Sequence, residues 1–171
     1  MREETIRRVR DGDLAALRDI ETAAGRIFAD IGMHEIAEDE PPPLETLSRY
    51  QVDGHAWVAV DATDSPIAYL LVDPVDGNAH IEQVSVHPGS AGHGIGRSLI
   101  EHVAGWAVER GMPALTLTAF TEVPWNGPYY ERCGFRRLGA TELTPGLRDI
   151  REREAAHGLD KWPRTCMRRD L

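Results

Sequence analysis

The sequence predicts an α/β (α+β) fold: a mixed central sheet of about seven strands, with an antiparallel N-terminal meander passing into a parallel βαβ unit and helices on its flanks. Three observations carry that expectation. The runs HAWVAV (55–60), PIAYLLV (66–72) and NAHIEQVSV (78–86) follow one another as strands, separated only by DATDS and by DPVDG, whose Asp76-Gly77 is a turn signal. A glycine-rich stretch, HPGSAGHGIGRSLI (87–100), then runs straight into a segment where Ile95, Leu99, Ile100, Val103, Ala107 and Val108 recur at helical intervals. ALTLTAF (114–120) follows as a strand, and a crossover of that length brings the chain back in the same direction, so this strand lies parallel to the one before the helix.

The remaining elements fall in order around this frame. TIRRVR (5–10) reads as a short strand, and DGD supplies an N-cap for a helix carrying Leu14, Leu17, Ile20 and Ala24 on one face. A second helix starts after Pro43 with Leu44, Leu47 and Tyr50. After the meander, the long helix stops at RGMP, where Gly111 and Pro113 end it. A short helix through GPYYERC, a strand at GFRRLGA, a helical insert at about 146–157 and a final strand at RTCMRRDL complete the chain.

A chain of 171 residues supports one domain, residues 1–171, with a sizeable core. Apolar residues at 42% and charged residues at 27% are ordinary for a soluble protein and exclude the disordered and collagenous classes. No apolar run reaches the roughly 18 residues of a membrane span, and MREETIRRVRDGD lacks the apolar core of a signal peptide, so a cytoplasmic location is expected. A net charge of −9 argues against nucleic acid as partner. Cys133 and Cys166 have no metal spacing and read as small core residues; the seven histidines likewise show no ligand pattern, so no metal is expected.

A helix opens with unpaired N–H groups and a positive dipole end, and glycine lets an anion approach them without interference from Cβ. Gly89, Gly92, Gly94 and Gly96 stand between a strand and a helix, the context such a site requires. Two phosphate loops are excluded by spacing. A P-loop needs a lysine after its last glycine and none follows here, while a dinucleotide fingerprint needs a third glycine where Gly94-x-Gly96 is followed by Leu99.

The segment resembles the GNAT acetyltransferase superfamily, whose signature is Arg/Gln-x-x-Gly-x-Gly/Ala between the fourth strand and the following long helix. Here the match is AGHGIG, Ala91 to Gly96, within VSVHPGSAGHGIGRSLI; later, YYERCGFRRLG resembles the family's Tyr-x-x-x-Gly-Phe segment. The likeness extends over nearly the whole chain and implies a GNAT-like fold. Two positions depart from the pattern. Ala91 replaces the usual Arg or Gln, which shifts phosphate binding onto the N–H groups of Gly92, Gly94, Gly96 and Arg97; Val123 stands seven residues before the tyrosine, where many members have Asn, and Asn126 is the amide at hand.

The resemblance implies acetyl-CoA as donor and a primary amine as acceptor, joined by direct attack on the thioester. It places coenzyme contacts at Val84, Ser85 and Val86, at Ala91, Gly92, His93, Gly94, Ile95, Gly96, Arg97 and Ser98 around the loop, and at Asn126. An amine with pKa near 10 is a free base only about one part in a thousand at pH 7, so a group must take its proton. His80, Glu82, Val84 and Val86 share one face of the fourth strand. Glu82 is the candidate base and His80 the alternative. Tyr130 is the candidate general acid for the leaving sulfur, with Tyr129 as a packing aromatic; a one-residue shift of the helix exchanges the two. Trp125 and Trp162 are open to either an acceptor pocket or the core.

The acceptor site of such proteins is commonly built from the first helices and the segment joining the last strands, here 28–43 and 142–162. Glu35, Glu38, Asp39 and Glu40 suit either a cationic acceptor or a solvated loop, which leaves the acceptor unassigned. Alternatives to a small-molecule N-acetyltransferase are a non-catalytic CoA-binding module and a transferase for protein N-termini or lysines. A homodimer is compatible with the resemblance.

Overall fold

The computed structural model describes residues 5–171. In chain order these form β1 (Thr5–Arg8), α1 (Leu14–Gly25), α2 (His34–Ala37), α3 (Leu44–Asp53), β2 (Ala56–Val60), β3 (Pro66–Val75), β4 (Asn78–Val86), α4 (Ile95–Glu109), β5 (Ala114–Phe120), α5 (Gly127–Arg132), β6 (Arg136–Arg137), α6 (Pro145–Ala156) and β7 (Arg164–Asp170). The strands make one sheet in the order β1-β2-β3-β4-β5-β7-β6. Pairing is antiparallel at β1–β2, β2–β3, β5–β7 and β6–β7 and parallel at β4–β5, as the strand–helix–strand order requires. The parallel ladder consists of Ala79 opposite Leu115 and His80 opposite Thr116.

Contacts divide the chain into two compact units. One comprises the residues up to Val72 together with Gln83–Val103; the other comprises Asp73–Glu82 and Ala104–Leu171. In the first, Leu17 and Ile20 of α1 and Leu47 and Tyr50 of α3 pack on Ala56, Val58 and Val60 of β2 and on Tyr69 and Leu71 of β3. These side chains alternate along the strands and recur at helical spacing along the helices, so one face of each element is apolar. In the second unit, Leu138, Leu147 and Cys166 form a buried cluster with Leu143 and Ile150 packed against it. Both cysteines are buried and unpaired, and burial pushes Cys166 up to about 11, which makes it an inert core residue.

Four local features differ from the sequence reading. Asp13 does not cap α1: its carboxylate accepts the Arg10 N–H at 2.8 Å and both terminal nitrogens of Arg7 at 2.7 and 3.1 Å, because a guanidinium fork offers more than a helix N–H does. β1 stops at Arg8, before the predicted Arg10. β3 runs on to Val75, since Asp76 (φ 52°) and Gly77 (φ 81°) both take the left-handed conformation of a tight hairpin turn that lets the ladder continue to its end. The strand expected over GFRRLGA shrinks to Arg136–Arg137, after which the chain turns at Gly139 into a 3-10 turn over Ala140–Glu142.

One glycine carries a steric requirement of its own. A Cβ on Gly127, at the start of α5, would lie 2.8 Å from the Phe120 carbonyl oxygen and 3.1 Å from Thr121 Cα, both backbone atoms. Gly127→Ala is therefore expected to destabilise the fold by about 1–3 kcal/mol, read as a lower midpoint in thermal melting; an unchanged midpoint would show that the turn yields freely.

Candidate acyl-transfer site

The glycine corner lies in the first unit. After β4, His87 accepts the Gly89 N–H on Nδ1 at 3.0 Å and so closes a 3-10 turn over Pro88–Ser90. His87 thus shapes the loop through its ring nitrogen. Gly92 (φ 82°) and Gly94 (φ 73°) are left-handed, with open space where a Cβ would stand. The Ser98 N–H and the Ser98 hydroxyl both donate to the Gly94 carbonyl at 3.0 Å, which fixes the first turn of α4. The amides of Ile95, Gly96 and Arg97, ahead of that first bond, occupy the positions that have no acceptor within a helix. Leu99, Ile100 and Val103 are fully buried and anchor α4 behind them, while Ile95 also sends its side chain inward. Ala91, Gly92, His93, Gly94, Arg97 and Ser98 remain exposed.

On β4, Val84 and Val86 are half-buried, and Ser85 is buried with its hydroxyl donating to Glu21 Oε2 at 2.6 Å. The Ser85 side chain is thus committed to α1, leaving only its backbone for a coenzyme. Tyr69 of β3 donates to the same Glu21 oxygen at 2.7 Å, and Gln83 Nε2 donates to Ser85 Oγ at 2.8 Å.

Glu82 and His80 belong to the second unit and face opposite electrostatic fates. Glu82 is exposed by area, yet its carboxyl is crowded enough that lost hydration pushes it up to about 7, helped by the negative charges of Asp73 and Glu154 and opposed by Arg153 and Arg164. His80 is 2% exposed, and burial drives it down to about 4. Its Nδ1 lies 2.8 Å from Thr116 Oγ1 on β5. Near neutral pH the imidazole is uncharged and the carboxyl sits at its midpoint, an arrangement that favours Glu82 over His80 as a proton acceptor.

His80 also sets an acid limb of stability. Between pH 6.5 and about 4 the unfolded chain takes up a proton that buried His80 refuses. Stability is therefore expected to fall by about 3 kcal/mol as pH drops through that window. Urea denaturation of wild type and His80→Gln at pH 7 and pH 4 checks this, and equal pH slopes for the two would refute it.

Glu154 of α6 was not anticipated. Burial works to raise it, but Arg164 at 2.7 Å, the Thr118 hydroxyl at 2.7 Å and Arg151 at 2.9 Å outweigh burial and hold it below the usual carboxylate range. It is consequently a fixed negative charge that bears on Glu82. Tyr130 is 8% exposed and packs edge-on against Phe135 at 6.0 Å and Tyr129 at 5.4 Å. Tyr129 is half-buried beside it. Asn126 Oδ1 accepts the Phe120 N–H at 2.6 Å, so this amide holds the loop ahead of α5. Trp162 stands edge-on to Phe120 at 6.2 Å, and Trp125 is half-buried.

The connections through Glu21 and Glu154 escaped sequence reading because their partners lie far away in the chain. Glu21 meets Ser85 across 64 positions and Glu154 meets Thr118 across 36. No spacing rule points to either. Among the described residues no group of three or more His, Cys, Asp or Glu is placed to hold a metal ion, and no helix is long and apolar enough to cross a membrane.

Residues 15–135 match the acetyltransferase (GNAT) family, and the chain belongs to it. Over 101 residues it is 29% identical to the peptidyl-lysine N-acetyltransferase YjaB of Escherichia coli K12; the match covers 58% of this chain and 63% of that protein, so less than two thirds of the relative is represented. Among solved structures, a GNAT acetyltransferase of Staphylococcus aureus Mu50 superposes with a TM-score of 0.75 at 13% identity, covering 99% of both chains. The PaiA N-acetyltransferase of Thermoplasma acidophilum, solved in complex with coenzyme A, gives 0.69 at 13% identity and also covers 99% of both. At these identities the likeness concerns the fold.

Proposed function

We propose that this chain is an N-acetyltransferase that moves the acetyl group of acetyl-CoA to a primary amine by direct attack. The observation that carries the reading is β4: the strand bears a carboxyl poised at about 7 and runs into an open glycine corner at the start of α4. The family supports it, as does the coenzyme A bound by a structural neighbour. On this reading residues 1–171 act as one catalytic domain, in the cytoplasm, as monomer or homodimer, without nucleic acid, membrane or metal.

The corner fits a diphosphate because two left-handed glycines leave its surface bare and the first-turn amides of α4 lack internal partners. The N–H groups of Gly92, Gly94, Gly96 and Arg97, with those of His93 and Ile95 beside them, would hold it there, whereas the Ala91 and Ser98 N–H groups are already taken by the carbonyls of Pro88 and Gly94. Acetyl-CoA, when bound, supplies an acyl group activated as a thioester. The backbone of Val84, Ser85 and Val86 orients that group, with an N–H directed to the oxygen that gains charge. Glu82 takes the proton from the acceptor ammonium, directly or through water, and Tyr130 donates a proton to the departing sulfur. Asn126 serves by keeping α5, and with it Tyr130, in place.

Thermal melting with and without acetyl-CoA tests binding: at a hundred times its Kd the ligand should add about 2.7 kcal/mol of stability. Thiol release across a panel of amines tests turnover. Tyr130→Phe, which keeps the ring packing, is expected to lower kcat about a hundredfold with the acetyl-CoA melting shift intact; an unchanged kcat would assign the acid role elsewhere. The name of the E. coli relative favours a second reading, a protein lysine as acceptor. Lysine-bearing peptides in the same panel decide between the two.

A further inference from the structure

Resting on the reading of this chain as an amine acetyltransferase, we infer that Glu21 binds a second, non-reacting cation of the acceptor. The preferred substrate would then be a diamine or polycation instead of a simple monoamine.

Glu21 follows Leu17 by one helical turn, so it borders the buried stripe of α1 and looks across the sheet face formed by β3 and β4. The His87 N–H donates to the Ile67 carbonyl at 2.9 Å and ties the end of β4 to the start of β3. The hydroxyls of Tyr69 and Ser85 converge on the same oxygen, Glu21 Oε2, at 2.7 and 2.6 Å. Tyr69 is fully buried and Ser85 is 7% exposed, so this carboxylate is held rigidly. Burial of Tyr69 and the negative charge of Glu21 raise the phenol well above its ordinary value, so it stays a donor throughout the working pH range.

The carboxylate itself has no cation within 4 Å among the described residues. Two other shielded carboxylates have guanidinium partners: buried Asp13 has Arg7, and half-buried Glu154 has Arg151 and Arg164. A neutral amide would anchor α1 to the two hydroxyls at a smaller desolvation cost. Two hydroxyls on Oε2 leave Oε1 to face a ligand. Ser85 belongs to the Val84–Val86 stretch of β4 whose backbone is assigned to the acyl group, so the cation at Glu21 would stand a short spacer away from the reacting nitrogen. That cation is not the amine that reacts, because the reacting ammonium is the one that gives its proton to Glu82.

Calorimetric titration in the presence of coenzyme A tests this with 1,4-diaminobutane, 1,8-diaminooctane and n-butylamine on wild type and Glu21→Gln. The glutamine retains an acceptor oxygen for Tyr69 and Ser85, so a purely structural role predicts no change in ligand preference. We expect 1,4-diaminobutane to bind wild type at least tenfold more tightly than n-butylamine and more tightly than the longer diamine. In Glu21→Gln that preference should vanish, with the acetyl-CoA melting shift unaltered. Equal affinities in wild type, absence of binding by all three amines, or a preference that survives Glu21→Gln would overturn the inference. The wild-type comparison decides alone if the variant does not fold. Loss of the acetyl-CoA melting shift in wild type would instead overturn the proposed function.

Discussion

Glu82→Gln should lower kcat by a factor of about 10² to 10⁴ while the stabilisation by acetyl-CoA persists, since the amide has the shape of the base but no lone pair basic enough to take a proton from an ammonium. The pH dependence makes the expectation specific. With its carboxyl near 7, wild type should show kcat/KM rising through about pH 7 and levelling above it, and the variant should lose that limb. Stability carries the same signature with a known sign. A carboxyl pushed up from 4.5 to about 7 holds its proton longer in the folded than in the unfolded chain, so wild type loses stability as pH rises through that window and Glu82→Gln does not. A variant with wild-type turnover and an unchanged limb would remove Glu82 from the chemistry.

The other large effect lies at the glycine corner. Gly94→Val should eliminate the melting shift with acetyl-CoA for two reasons. At φ 73° a β-branched residue is strained by about 1–3 kcal/mol, and its methyl groups would fill the open space in front of the first-turn amides. Circular dichroism and the melting midpoint without ligand separate these causes. A folded variant with no shift supports the proposed diphosphate position, whereas a folded variant with a normal shift would contradict it.

How far the sequence disclosed the fold depended on distance along the chain. The hairpin at Asp76-Gly77, the helix ending at Gly111 and the parallel return of β5 rest on local rules, and each is present in the structure. Asp13 misled because its capping position was legible but the competing guanidinium of Arg7 belonged to a different element. The glycine corner could be read because a strand, a loop and a helix are contiguous. The charge states of Glu82 and His80 could not, since both follow from burial and from Asp73, Glu154 and other groups brought close only by folding. Glu21 gave no signal for the same reason.

The corner between β4 and α4 presents main chain to its surroundings, with the side chains of Ala91 and His93 exposed and Gly92 and Gly94 left-handed. A saturation library across these four positions should therefore separate into two kinds of site. Positions 91 and 93 should tolerate nearly every residue, whereas 92 and 94 should return almost only glycine. Recognition through amides leaves the letters of such a loop free to drift while its path is held, so a coenzyme site of this type can stay legible in shape long after its side chains have been rewritten.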